Sequence, residues 1–195
     1  MNILIVAASP EPIPDLPRDA DFVIGVDGGY QRLLDEGIIP DVVVGDFDSF
    51  KGSPPEEALR YPSEKDVTDL EIALAFARER GATRMDVYGG LGGRIDMTFA
   101  NVGLLEAYPE MVLHGEGQTV YLVRTGSEVI MKRDGHYLSF MPWKTATISI
   151  EGVKYPLDHH EVKSGEALTI SNEWTEASAR LTVHQGMVLV MIIKK

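Results

Sequence analysis

Cysteine is absent from the 195 residues. That removes disulfides, thiol catalysis and thiolate metal sites, and it suits a reducing, cytoplasmic location. Long apolar runs are missing too, so no stretch approaches the length of a membrane span. The opening Ile3–Ala8 is too short for a signal peptide, lacks a basic leader and reads as a first strand. Basic residues are scarce, with 18 Lys and Arg against 30 Asp and Glu and a net charge of −12. No basic run or arginine-rich face is visible, which argues against nucleic acid as a partner. Phosphates can still bind such a chain, given backbone amides, an arginine or two and divalent metal to offset repulsion. Repeats and low-complexity tracts are absent as well. What is left is the composition of a globular protein, 44% hydrophobic and 25% charged. Its length suits one large domain or two small ones.

The first half alternates strand and helix patterns. Asn2–Ala7 is an apolar strand followed by a proline-rich loop, Pro10–Pro17. Phe22–Val26 is a second strand, and a helix over Tyr30–Glu36 stops at Gly37. Val42–Val44 is a third strand, followed by a polar connection over Lys51–Pro62. Residues 69–80 form a strong helix, with Leu70, Ala73, Leu74 and Ala77 on one face. Met85–Tyr88 is a strand, a helix runs from about Met97 to Ala107, and Met111–His114 is the last strand of this half. Near-continuous apolar strands alternating with helices predict an α/β domain, its parallel sheet covered on both faces. After a boundary loop near Gly115–Gln118 the rhythm changes. Short alternating segments follow at Thr119–Val123, Glu128–Lys132, Tyr137–Met141, Ala146–Ile150, Ala167–Ile170, Arg180–His184 and Val188–Ile193. With no helical pattern among them, this half reads as an all-β sandwich or barrel.

Acidic or glycine-rich spots fall where strands of the first half end. Asp27-Gly28-Gly29 is either a helix cap with a tight turn or a place where phosphate approaches the backbone. Asp46 and Asp48 follow the third strand, their side chains pointing the same way roughly 7 Å apart in an extended segment. They are either turn and cap aspartates or a pair that shares a hard cation such as Mg²⁺. In Lys65–Glu71, Thr68 and Glu71 fit a capping box, and the dipole of the helix favours an acid at Asp69. The box leaves Asp66 without a purpose. Gly89–Asp96 is a loose phosphate-cradle pattern without the Gly-Lys-Ser/Thr of a Walker loop. There Arg94 offers a phosphate clamp and Asp96 a metal ligand or base. Parallel topology carries all these strand ends to one edge. So many carboxylates repel, each contact costing on the order of 1–4 kcal/mol at surface-like dielectric. Bound divalent cations are the natural compensation, and metal beside an anion site points to phosphoryl-type transfer.

The motifs Gly25–Gly29, Gly45–Ser49, Lys65–Glu71 and Gly92–Asp96, then Gly152–Leu157 and Ser171–Trp174, resemble those of the thiamine pyrophosphokinase family in order and approximate spacing. The resemblance covers nearly the whole chain. It implies a Rossmann-like α/β domain over residues 1–115, with a mostly parallel sheet that binds nucleotide. A β-sandwich domain over residues 116–195 would bind thiamine and dimerise, in a homodimer with active sites between subunits. The implied reaction transfers a pyrophosphoryl group from ATP to the thiamine hydroxyl, giving AMP and thiamine diphosphate with Mg²⁺. By motif match Asp46, Asp48, Asp66 and Asp69 hold Mg²⁺ and the triphosphate. Thr68, Arg94 and Asp96 complete the nucleotide side, with Asp27 and Gly28 near it. Ser171 and Asn172 contact the pyrimidine of thiamine, and Trp174 offers a stacking surface. Either Asp69 or Asp96 is expected to take the alcohol proton. Bacterial members usually carry histidine after the Arg-x-Asp, where this chain has Met97; the position reads as one that tunes activity.

Other readings compete. An apolar strand ending in Asp-x-Asp also marks haloacid-dehalogenase-type phosphatases, with Asp46 as nucleophile and Asp48 as acid/base. That family carries the motif on its first strand, whereas here two strands precede it. A non-catalytic nucleotide or thiamine sensor of the same fold rests on Met97 alone. His159 and His160 read as an exposed pair in a loop, since neighbours on a strand face opposite ways. Trp143 reads as core or dimer surface, and Met187 and Met191 as core fillers in the last strand.

Overall fold

In the computed structural model, which describes residues 1–45, 58–60 and 66–195, the elements of the first half come in this order. They are β1 (Asn2–Ala7), β2 (Phe22–Val26), α1 (Gly29–Asp35), β3 (Val42–Gly45), β4 (Ala58–Arg60), α2 (Asp69–Glu79), β5 (Arg84–Tyr88), α3 (Ile95–Ala107) and β6 (Met111–Gly115). Strand β1 is flanked by β2 and β5, with Ile5 opposite both Ile24 and Val87. Beyond β2 lie β3 and then β4, and β6 pairs with β5; every one of these pairings is parallel. Side chains alternate along β1. Leu4 and Val6 pack with Leu16, Leu33 of α1 and Tyr88, which leaves Ile3 and Ile5, both fully buried, for the opposite face. On α2 the buried stripe is Leu70, Ala73, Leu74 and Ala77. Burying each of the two leucines stabilises by about 1.5–3 kcal/mol. Strand order reverses at β1, and such a reversal opens a crevice outside the carboxyl ends of the strands.

The backbone divides into Met1–Glu116 and Gly117–Lys195. The second unit holds β7 (Gln118–Val123), β8 (Gly126–Met131), β9 (His136–Pro142), β10 (Thr145–Glu151), β11 (Leu157–Lys163), β12 (Ser178–Gln185) and β13 (Val188–Lys194). Strand β13 pairs with β7 and β9, while β10 and β12 form the middle of a sheet edged by β11 and β8. All of these pairs are antiparallel. Leu138, Phe140, Val190 and Ile192 of the first group share one apolar core with Ile130, Ile148, Ile150, Leu181 and Val183 of the second.

Several expectations need correction. The connection over 51–62 contains a short strand, β4. Ala167–Ile170 is a turn, closed by Ile170 N–H on the Ala167 carbonyl at 3.3 Å, with Leu168 and Ile170 exposed. The missing strand is β11, which carries His159 and His160. Only Val162 of β11 is buried, so this edge strand shows no apolar alternation. His159 has φ +46°, where the pairing with β10 shifts register between Ile148 and Ile150. Its ring lies 4.2 Å from that of His184, centre to centre. Met187 and Met191 are half-buried rather than core fillers.

Within β5, Asp86 is buried and carries a charge. Arg84 donates to it through Nε at 2.8 Å, and His114 Nε2 of β6 lies 2.7 Å away, with the His114 ring stacked on Tyr88. Burial alone pushes the Asp86 carboxyl up, but hydrogen bonds from His114 and Arg84 outweigh it and hold the pKa at about 2. This value lies below the ordinary 3.8, so the contribution to stability is fully present above that and fades as pH falls through about 2. Asp86→Asn should cost about 1.5–3 kcal/mol at pH 7, the range for hydrogen bonds to charged groups. Urea unfolding at pH 7, 4 and 2.5 should show the gap between variant and wild type closing; an unchanged gap would place the effect in packing.

Candidate functional site

A cavity of about 460 Å³ lies at the carboxyl ends of β1, β2 and β5. Its wall includes Asp27, Thr68, Asp69, Gly89 and Arg94 among the expected site residues. Asp27 follows β2 in the left-handed region, φ +45°. Its N–H bonds the Val44 carbonyl at 2.9 Å, and its own carbonyl accepts from Tyr30 N–H at 3.1 Å. Backbones meet closely here. A Cβ on Gly45 would stand 1.9 Å from Asp27 Oδ1, and one on Gly89, φ +81°, would stand 2.2 Å from the Ala7 carbonyl oxygen. At Gly89 the obstacle is backbone and only glycine permits the approach, whereas at Gly45 it is the end of the Asp27 side chain. Gly45 is the last described residue before Asp46, and Asp46, Asp48 and Lys65 lie outside the described residues.

Thr68 caps α2, its Oγ accepting from Glu71 N–H at 3.2 Å, which is half of the expected capping box. Asp69, in the first turn, is half-buried in the cavity wall. Arg94 precedes α3 with its side chain 76% exposed, and it grips Asp96 through Nε at 3.1 Å and NH2 at 2.5 Å. The guanidinium, with a further bond from Met97 N–H, holds the Asp96 carboxyl below its usual range, while Asp96 raises Arg94 in turn. A carboxylate so committed is a poor proton acceptor. In this arrangement Asp96 orients Arg94. Asp66 is exposed and outside the cavity lining. Gly28 lines a neighbouring cavity of about 120 Å³. Asn101, on α3, lines the large cavity and was missed in the sequence. Its signal was an asparagine in the middle of a helix, where that residue is a weak helix former.

Among the described residues no group of three or more carboxylates and imidazoles is placed to hold a metal ion. Asp69 supplies an oxygen donor of the kind magnesium takes.

In the second unit Ser171 is exposed, with φ +59°, and its N–H bonds Ser139 Oγ at 2.9 Å. Asn172 is 2% exposed, and its amide is occupied. Oδ1 accepts from Tyr155 N–H at 3.1 Å and Glu173 N–H at 3.0 Å, while Nδ2 donates to the Tyr155 carbonyl at 2.9 Å. Trp174, 8% exposed, packs in the core and donates from Nε1 to the Ile130 carbonyl at 3.1 Å. Within this chain Asn172 pins a loop and Trp174 fills a core.

Residues 13–113 match the family model described as thiamin pyrophosphokinase, catalytic domain, and residues 127–188 match its vitamin B1 binding domain. The chain belongs to the thiamin pyrophosphokinase family. Thiamine pyrophosphokinase of Bacillus subtilis (strain 168) is 34% identical, over 98% of this chain and 97% of that protein. The crystal structure of thiamine pyrophosphokinase from Bacillus subtilis superimposes with a TM-score of 0.92 at 31% identity, covering 100% of both chains. That of Geobacillus thermodenitrificans gives 0.88 at 30% identity, over 100% of this chain and 98% of that one. Membership fits the family motifs but assigns Asn172 no role by itself, and its bonds point to stability. Asn172→Ala strands the Tyr155 and Glu173 backbone groups and should cost about 1–3 kcal/mol. Urea denaturation should show the loss; an unaltered midpoint would favour a ligand role for Asn172.

Proposed function

We propose that this chain transfers a pyrophosphoryl group from ATP to the hydroxyethyl oxygen of thiamine, releasing AMP and thiamine diphosphate. The observation that carries the reading is the pair of family matches, one on each unit, with the large cavity on the unit matched as catalytic. We read that unit as a Rossmann-like nucleotide domain, 1–115, and the rest, 116–195, as a β-sandwich that binds thiamine and dimerises. Active sites lie between the subunits of a homodimer. A cytoplasmic setting suits a chain without cysteine.

In this reading the thiamine oxygen bonds the β-phosphorus as the bond to the departing AMP oxygen breaks, and the hydroxyl proton leaves to Asp69 or to water. Arg94, aimed by Asp96, meets the phosphate oxygens as a bidentate donor. Thr68 and the first turn of α2 add backbone donors and a favourable dipole. Asp27 and Gly28 border the nucleotide. Asp46, Asp48, Asp66 and Asp69 would hold magnesium, which would neutralise charge on the triphosphate. Ser171, with Asn172 and Trp174 beside it, is read as the thiamine contact. A non-glycine residue in the left-handed region costs of order 1–3 kcal/mol, and such strain clusters at functional sites.

AMP release measured with thiamine present and absent tests the reaction. Release only with thiamine is expected; thiamine-independent phosphate release would favour a phosphatase, and ATP binding without AMP a sensor. Asp46→Asn and Asp48→Asn should each lower turnover by orders of magnitude, and near-normal rates for both would remove the metal proposal. Asp96→Asn should raise the ATP KM roughly three- to tenfold with a smaller change in kcat, the pattern of lost binding orientation. A collapse of kcat by orders of magnitude would assign Asp96 as the base.

A further inference from the structure

Asn101 is the polar group in the cavity that the proposed chemistry leaves unused. It lines the cavity and is 6% exposed. Its Nδ2 donates to the Gly90 carbonyl at 2.8 Å. That bond fixes which end of the amide is which, because the reverse orientation would set oxygen against oxygen. Oδ1 is then a buried acceptor that receives no hydrogen bond from any described residue. Buried acceptors are satisfied in the great majority of cases, by protein, water or ligand.

The chemistry of the missing partner follows. An amide oxygen is an acceptor only, and so are the oxygens of an ionised phosphate, so the two do not bond. The partner must bring an N–H or O–H. The cavity that Asn101 lines also has apolar members, Ala7, Val26, Leu70 and Met97. Met97 lies four positions before Asn101 on α3, hence on the same helix face. Arg94, the cation suited to phosphate, is by contrast largely exposed at the start of α3. The cavity wall therefore combines charged groups, Asp27, Asp69 and Arg94, with apolar ones, and Asn101 adds a neutral acceptor among them.

We infer that Asn101 Oδ1 accepts a hydrogen bond from the uncharged part of the nucleotide, a ribose hydroxyl or a base N–H, so that this wall reads the nucleoside while the phosphates lie toward Arg94. This rests on the reading of the cavity as the ATP site. Asn101 is a specificity residue for that substrate, and the loss of its amide removes selectivity rather than phosphate binding. A site built to accept from a substrate donor rejects the analogue lacking it, because its own acceptor is then left unpaired.

Equilibrium binding by calorimetry tests this without turnover, in the presence of magnesium. On the unaltered protein the probes are ATP, 2′-deoxy-ATP, 3′-deoxy-ATP, purine riboside triphosphate and inorganic tripolyphosphate. One of the three analogues should bind at least about tenfold more weakly than ATP, and its missing group names the donor. Asn101→Leu should weaken ATP to a similar degree, leave tripolyphosphate and thiamine binding unchanged, and show no further loss with the sensitive analogue. Equal affinities for ATP and all three analogues on the unaltered protein overturn the inference even if the variant does not fold. Parallel loss of ATP and tripolyphosphate in a folded variant overturns it too, since that is the signature of a structural prop on Gly90. Failure of ATP to bind the unaltered protein sinks the proposed function instead.

Discussion

The parallel hydrogen-bond ladder through β1 is the constraint from which the site follows. With β2 on one side and β5 on the other, three chain segments must leave the sheet at the same edge. They do so with backbone against backbone. Gly29 leaves no room for a Cβ beside the Val6 carbonyl, and Gly89 none beside that of Ala7. The cavity wall is thus partly main chain, anchored to a sheet whose both faces are buried. Side chains that matter for binding inherit their positions from this packing. Asp27 is placed by its backbone bond to Val44 of β3, and Thr68 and Asp69 by the start of α2.

Charge sets the second condition. The chain is acidic overall, and the cavity wall itself carries Asp27 and Asp69. Salt screens exposed charges beyond about 8 Å at physiological ionic strength, so the local balance matters more than the net value. Arg94 is a cation in that wall, and its bidentate bond to Asp96 holds the guanidinium in a fixed plane. That pairing lowers the positive charge Arg94 offers but removes much of the freedom it would lose on binding.

The second unit solves a different problem, how to hold one exposed residue in an unfavourable conformation. Ser171 sits between residues pinned on both sides. Thr169 Oγ bonds the Phe140 carbonyl, Leu138 and Asn172 exchange backbone hydrogen bonds at 2.9 Å, and Glu173 is tied to Lys154 and Lys195. Trp174 closes the stretch from the core side. The neighbours of Ser171 over-determine its backbone, which is what lets a left-handed serine persist.

Local signals carried a large part of this protein. The stripe at Leu70, Ala73, Leu74 and Ala77 predicted α2 within one residue of its end, and the apolar run of β1 predicted the strand with its bounds. Glycines and acids at strand ends announced the site, because the turn chemistry they serve is local. Tertiary structure decided the rest. Edge strand β11 has no apolar face, so nothing in its residues separates it from a loop, while the apolar Ala167–Ile170 imitates a strand and is a turn. Trp174 and Asn172 look like ligand contacts in the sequence, and what surrounds them is drawn from distant strands: Ile130 for one, Tyr155 for the other. Nothing in the sequence shows that Arg94 grips Asp96, and Asn101 carries no motif of its own. A residue's type and spacing follow from the chain alone. Whether its polar atoms are already spent depends on neighbours that only the fold brings near.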